Sequence, residues 1–446
     1  MNKVLVGGVA VALLAAGGYV GATWYVGQKI DGALDSNAAA LGKYKIIKQE
    51  KRQFDKGLFS SVELVTYRIG CAEGLEGSPF AGTEGTLTLK NTISHNPFAP
   101  TVKTEIILDE KTRAELAKVF KGQEPLSIVT RVSLDGSYQT EISSPAFVHE
   151  DAQGKLDWKG ISATVKSDQQ LSFADFNLKM SGLSFSAGSG EALSLGEVTY
   201  TAATKKSAEG LYAGKGSMVL AGMELKGQND GVPMVLKTGK LELSSDSSVE
   251  GGLMKGSAKG TLAGLSYNGK AIGDIGIDYE LARIDAAAVK KINDNSIDNL
   301  LQCHYDPMKD MQVLQEAVMA ILKKDPSYTQ KIALKTPEGE SSLNLKVASK
   351  GLTEADLHGI DSVLPKLDAS VKLQVPSELV NRLIRDVRPA EEVEMTQAMV
   401  SEGLNQAAAQ GFVVLDSKLI KSDFELKNGQ MLLNGQPFDP SMLMGL

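Results

Sequence analysis

Residues 126–143, "LSIVTRVSLDGSYQTEIS", decide how the rest of the chain is read. Leu126, Ile128, Thr130, Val132 and Leu134 recur at every second position, which places them on one side of a strand. Asp135-Gly136 follows, a dipeptide suited to a type I′ hairpin because both central residues of that turn take positive φ. Tyr138, Thr140 and Ile142 then return on the neighbouring strand. The segment therefore predicts an antiparallel hairpin with a defined inner face.

The same period of two dominates residues 45–285. Phe176, Leu178 and Met180 alternate in "FADFNLKMSG" before a turn expected at Gly182. Ile275, Ile277, Tyr279 and Leu281 alternate with Gly276, Asp278 and Glu280. One apolar and one polar face imply an antiparallel sheet covered on one side only. Asp109 is placed to cap one intervening helix, with Leu116, Val119 and Phe120 on a single face and Gly122 as its stop.

From about residue 286 the period becomes helical. Met311, Leu314, Val318, Ile321 and Leu322 form one stripe, behind Asp306 as cap and Pro307 as first residue. Leu379, Val380, Leu383, Ile384 and Val387 form another, and a third helix ends at Gly411. These stripes are expected to pack on the core. Strands return in "KLDASVKLQVP", where Leu367, Ala369, Val371, Leu373 and Val375 alternate with polar residues. Asn428-Gly429 closes a last hairpin, with Leu426 opposite Met431 and Phe424 opposite Leu433.

These patterns predict an α+β fold. An elongated, mostly antiparallel β-sheet body carries helices concentrated in the C-terminal third, plus one N-terminal transmembrane helix. The expected divisions are residues 1–30 as signal-anchor, 31–285 as a β-rich exported region, and 286–446 as a mixed region packing on the same sheet.

The anchor is read from Val4–Val26, which has no charged side chain. Roughly 20 apolar residues span a bilayer core as a helix. Val4, Leu13, Leu14 and Val20 lie in this run, with Trp24 and Tyr25 at the interfacial level. A cleavable signal has a shorter apolar centre, and no polar break follows the small residues here. The N-terminus is expected inside and the main body outside the membrane, because a long domain is exported largely regardless of its charge. The basic residues Lys43, Lys45, Lys48, Lys51 and Arg52 fit either a solvated strand face or contact with anionic headgroups.

Composition narrows the function. The 446 residues carry a net charge of −7, which argues against nucleic acid as a partner, since its phosphates require a basic surface. Cys71 and Cys303 could pair in an oxidising compartment or stand as separate thiols. His95, His149, His304 and His358 are scattered, with no metal-ligand spacing. Lys215-Gly216-Ser217 breaks the P-loop order of Lys followed directly by Ser or Thr. Lys237-Thr238-Gly239 lacks the Ser-x-x-Lys nucleophile that would give it catalytic meaning and reads as a turn. No catalytic, cofactor or metal residue is assigned.

Several segments, in order, resemble the YdgA-like family of uncharacterised envelope proteins of Gram-negative bacteria. They are "YVGQKI" at 25–30, "GLFSS" at 57–61, "ISHNPFAP" at 93–100, "EPLSIVTRVSLDGSYQTEISSPAF" at 124–147, "LDWKGI" at 156–161, "YELARIDAAAV" at 279–289 and "KLQVPSELVNRL" at 372–383. The family's histidine is often followed by Gly-Pro, whereas His95 here precedes Asn96-Pro97. The resemblance implies an inner-membrane anchor and a periplasmic body, and no established activity. The leading expectation is a non-enzymatic, membrane-anchored envelope protein with a binding or assembly role toward an unknown ligand, which could be an envelope protein, a second copy of itself or a lipid. The alternative is lipid binding or transport along an apolar groove of the long sheet.

Overall fold

The computed structural model describes residues 43–57, 60–71, 84–94, 100–133, 135–168, 170–229, 232–303 and 306–439. The expected anchor, from Val4 to Val26, lies outside them. Among the described residues no helix is long and apolar enough to cross a membrane. The chain divides into two compact units, Met1–Gly216 with Lys290–Leu314 and Ser217–Val289 with Gln315–Leu446.

In the first unit, β1 (Ile47–Lys56), β2 (Ser60–Ile69), β3 (Gly85–Ser94), β4 (Thr101–Ile107), β5 (Ser127–Val132) and β6 (Ser137–Ser144) each pair antiparallel with the next. The hairpin at 126–143 forms with Ile128 opposite Ile142 and Thr130 opposite Thr140. Ser133 N donates to Ser137 O at 2.8 Å. Three residues therefore bridge the strands, one more than a type I′ turn uses, with Gly136 at φ +81°.

The strands that follow are mostly short. They are β7 (Phe147–Asp151), β8 (Gly154–Trp158), β9 (Ile161–Asp168), β10 (Phe173–Met180), β11 (Leu183–Ala187), β12 (Ala192–Leu195) and β13 (Val198–Lys206). Ile161 faces Met180 in the β9–β10 pair and Trp158 faces Leu183 in the β8–β11 pair, so one register runs through both. Lys159 N to Gly182 O and Ser181 N to Gly160 O, each 3.0 Å, continue the ladder between them. Residues 154–168 are thus one strand creased at Gly160, paired with 173–187 creased at Gly182. Positive φ of +94° and +132° at these glycines makes the crease. A Cβ on Gly160 would stand 3.0 Å from Ser144 O. Gly182 was expected to reverse the chain; its strand instead bends and runs on.

The core of this unit gathers Ile47, Val65, Tyr67 and Leu89 in one cluster and Ile128, Ile142 and Ala163 in another, the latter packed by Phe176 and Leu178. α1 (Glu110–Val119) starts as expected, with Thr112 N donating to Asp109 Oδ1 at 2.9 Å. Its C-cap Phe120 packs on Phe147, ring centroids 4.6 Å apart. β14 (Tyr212–Leu220) holds Lys215, Gly216 and Ser217 in a strand. α2 (Ala286–Leu301) was not singled out by its pattern. Leu301 O accepts from Lys45 N and Ile46 N, and just beyond it Cys303 is disulfide-bonded to Cys71, Cα atoms 5.6 Å apart.

The second unit holds β15 (Met223–Asn229), β16 (Val232–Thr238), β17 (Leu241–Glu250), β18 (Leu253–Tyr267), β19 (Lys270–Asp285), β20 (Ser327–Thr336), β21 (Gly339–Ser349), β22 (Leu367–Pro376), β23 (Val414–Asp416), β24 (Leu419–Lys427) and β25 (Gln430–Leu433). From β17 to β22 each strand pairs antiparallel with the next, and β24 adds to β22. The last hairpin has the expected register, Leu426 opposite Met431 and Phe424 opposite Leu433. Asn428 and Gly429 both take positive φ, as a type I′ turn demands. Thr238-Gly239, expected as a turn, is the end of β16 and a bend into β17 rather than a reversal.

The helices correct one expectation. α3 (Pro307–Leu322), α4 (Ser377–Val387) and α5 (Ala390–Ala409) form where the pattern placed them. Their stripes are only partly covered. On α3, Leu314 is 47% and Val318 42% exposed, while the small Ala317 is buried. On α4, Leu379 and Ile384 are buried but Leu383 is 48% exposed. Spacing establishes which side chains share a helix face; it does not establish that a neighbour covers all of that face.

Candidate functional site

The β17–β22 strands and β24 align three rows of side chains on one face. The first row reads Leu243, Gly260, Ile277, Ile332, Leu343, Leu373 and Ser422. The second is Ser245, Ala258, Tyr279, Gln330, Leu345, Val371 and Phe424; the third is Ser247, Gly256, Leu281, Tyr328, Val347, Ala369 and Leu426. None of these positions is charged. Only Leu426 is buried, and Leu243, Ile277, Tyr279, Leu343, Val347 and Leu373 are each 36–41% exposed. The expected alternation of Ile275 to Leu281 and of Leu367 to Val375 thus forms one continuous surface.

The reverse face takes the charges. Lys259, Asp278, Lys331, Asn344, Lys372 and Asp423 follow one another across β18 to β24. Lys372 Nζ lies 2.7 Å from Asp423 and 3.2 Å from Glu425. Asp423 first, then Glu425, holds the Lys372 ammonium above its usual range. Water satisfies this side, so the apolar side would normally be the one covered. Seven strands about 4.8 Å apart, with three rows about 7 Å apart, make a strip of about 29 by 14 Å. Its area, about 400 Å², falls in the range that marks binding surfaces on soluble domains.

α4 is fastened at the turn ends of this sheet. Arg382 Nη1 donates to Ala271 O at 2.7 Å and Nη2 to Ile272 O at 3.3 Å. Its Nε lies 3.1 Å from Glu338 Oε1. Lys270 Nζ donates to Asp386 Oδ1 at 2.8 Å, which is the main cause of the lowered pKa of Asp386. These contacts fix the helix while its Leu383 stays exposed.

Sequence reading missed a buried ionic cluster in the first unit. Glu63, Asn91 and Thr104 are cross-strand neighbours on β2, β3 and β4, all buried. Arg52 Nε donates to Glu63 Oε1 and Asn91 Nδ2 to Glu63 Oε2, both at 2.9 Å; Thr104 Oγ1 donates to Asn91 Oδ1 at 2.7 Å. Arg52 also lies 5.8 Å from the centroid of the Phe54 ring. It therefore leaves the basic set read as a solvated face or a headgroup contact; Lys43, Lys45, Lys48 and Lys51 remain exposed. The Glu63 carboxylate is enclosed and serves the sheet. Only an acid within "SVELVTY" marks it in the sequence, and both faces of that strand hold two apolar residues.

His149 sits on β7, exposed and 3.3 Å from Asp151. His95 and His304 lie outside the described residues. No group of three or more His, Cys, Asp or Glu among the described residues is arranged to hold a metal.

A family profile described as "Bacterial protein of unknown function (DUF945)" matches residues 1–441. The chain belongs to this family. Protein YdgA of Escherichia coli (strain K12) is 25% identical, over 100% of this chain and 97% of the relative. The resemblance read from the ordered segments is therefore borne out at the level of the family. No solved structure matches. Within the DUF945 family the paired faces of the second unit are thus read from this chain's own geometry.

Proposed function

We propose that the chain is a non-enzymatic, inner-membrane-anchored envelope protein whose periplasmic body holds the acyl chains of a lipid on the apolar strip of β17–β22 and β24. The observation that carries this reading is the strip itself: three uncharged rows with six large apolar side chains open to solvent. An acyl chain needs dispersion contact and exclusion of water, and each CH₂ removed from water contributes about 0.8 kcal/mol. The strip's length of about 29 Å is close to the thickness of a bilayer's hydrocarbon core, about 30 Å, so it accommodates two chains end to end. The uncharged run Val4–Val26 supports a single-pass anchor with the N-terminus in the cytoplasm. The Cys71–Cys303 disulfide supports an oxidising compartment for the body. These observations support the lipid reading over the envelope-partner or self-association reading.

The test is photo-crosslinking of the full-length chain in native membranes, using a lipid with a diazirine in its acyl chain. Labelled peptides should map to β20, β21 and β22. Leu343→Asp with Leu373→Asp should reduce that labelling at least five-fold and leave labelling of the N-terminal segment unchanged. Equal labelling of wild type and variant on those strands would reject the strip as the lipid site.

A further inference from the structure

At its centre the strip carries a side-chain amide, flanked on the same face by two tyrosines. Gln330 lies on β20, the fourth of the seven strands, with Tyr279 opposite on β19 and Leu345 opposite on β21. The Tyr328 hydroxyl lies two residues away on the same face and donates to Gln330 Oε1 at 2.9 Å. That bond occupies the amide oxygen. The amide nitrogen makes no hydrogen bond among the described residues and remains a donor on the strip, between Tyr279 and Leu345. Covering such a donor with plain hydrocarbon strips it of water and returns nothing, a loss that a ligand acceptor at the same place avoids.

We propose that Gln330, oriented by Tyr328, recognises the ester carbonyl of an acyl lipid whose chains lie on either side of it. This rests on the reading of the strip as a lipid surface. The chemistry selects an ester over a free fatty acid. A carboxylate placed here would be desolvated with no cation on any of the three rows, whereas a neutral carbonyl accepts one hydrogen bond and carries no charge to compensate. Position agrees with this choice: three strands flank β20 on each side, about 14 Å each way, so a linkage at the centre leaves apolar surface for a chain in both directions. Gln330 is thus a specificity-determining residue for that binding.

The test compares two probes that differ in one respect. The full-length chain is reconstituted in vesicles of diether phosphatidylcholine, doped with a trace of a diazirine-bearing diacylglycerol or of its diether analogue. One hydrogen bond gained corresponds to about a three- to ten-fold preference. Wild type should label β20–β21 peptides that much more with the ester probe. Gln330→Leu should bring the ratio close to one while the ether probe still labels, and Tyr328→Phe, which keeps the ring packing, should lower the ratio part-way. A wild-type ratio near one, or a ratio unchanged in Gln330→Leu, overturns the inference and leaves the strip reading standing. Failure of both probes to label these strands in any protein overturns the strip reading as well.

Discussion

Replacing Glu63 tests whether the first unit is held by a buried charge pair. Its side chain is 1% exposed, and Arg52, at 16%, lies against it. Glu63→Leu removes the acceptor of the Arg52 and Asn91 hydrogen bonds and takes the opposing charge away from the guanidinium inside the sheet. Removing one partner of a buried pair costs about 3–5 kcal/mol. Glu63→Gln keeps the shape. Its oxygen can accept from Arg52, and its NH₂ can donate to Asn91 once that amide turns over. The turned Asn91 then donates to Thr104 Oγ1, which can accept. What is lost is the charge opposing Arg52, while the hydrogen bonds kept make this variant about 1–3 kcal/mol less destabilised than Glu63→Leu. Hydrogen exchange on β2, β3 and β4 of the full-length chain reads the difference locally. Amides there should exchange a hundred-fold or more faster in Glu63→Leu, and in Glu63→Gln at least about five-fold more slowly than in Glu63→Leu. Exchange in Glu63→Leu within three-fold of wild type would refute the reasoning.

Three further outcomes follow from the geometry. Leu379→Ala should destabilise the region around α4 by about 2–5 kcal/mol and Leu383→Ala by under about 1 kcal/mol, measured by exchange over residues 372–383; equal losses would return Leu383 to the core. The Asp356 carboxylate, held to about 2 chiefly by Lys366 and then by Thr353, should titrate near that value by carbon NMR and move back towards 3.8 in Lys366→Met. Because its folded pKa is depressed, its contribution to stability is present above the ordinary carboxylate range and is lost as pH falls towards 2. Cys71 and Cys303 should both resist alkylation in protein taken from the envelope without reductant, and Cys303→Ser should make Cys71 react; alkylation of both thiols in unreduced wild type would break the assignment.

The sequence by itself determined the strands, their faces and several turns. Side chains alternate across a strand by covalent geometry, so Ile277 and Tyr279, or Val371 and Leu373, share a face whatever surrounds them. Asn428-Gly429 and Asp109 act within a few residues and were legible for the same reason. The creases at Gly160 and Gly182 were not, because a glycine at positive φ permits either a reversal or a bend, and the pairing partners choose between them. Tertiary structure alone decided what each face meets. It enclosed Glu63 beside Arg52 and Asn91 and joined Cys71 to Cys303 across 232 residues of sequence. It also left Leu314, Leu383 and the apolar strip in water. Burial depends on which distant segment arrives over a surface, and the hydrophobic effect, being non-directional, writes no partner's address into the pattern that needs covering.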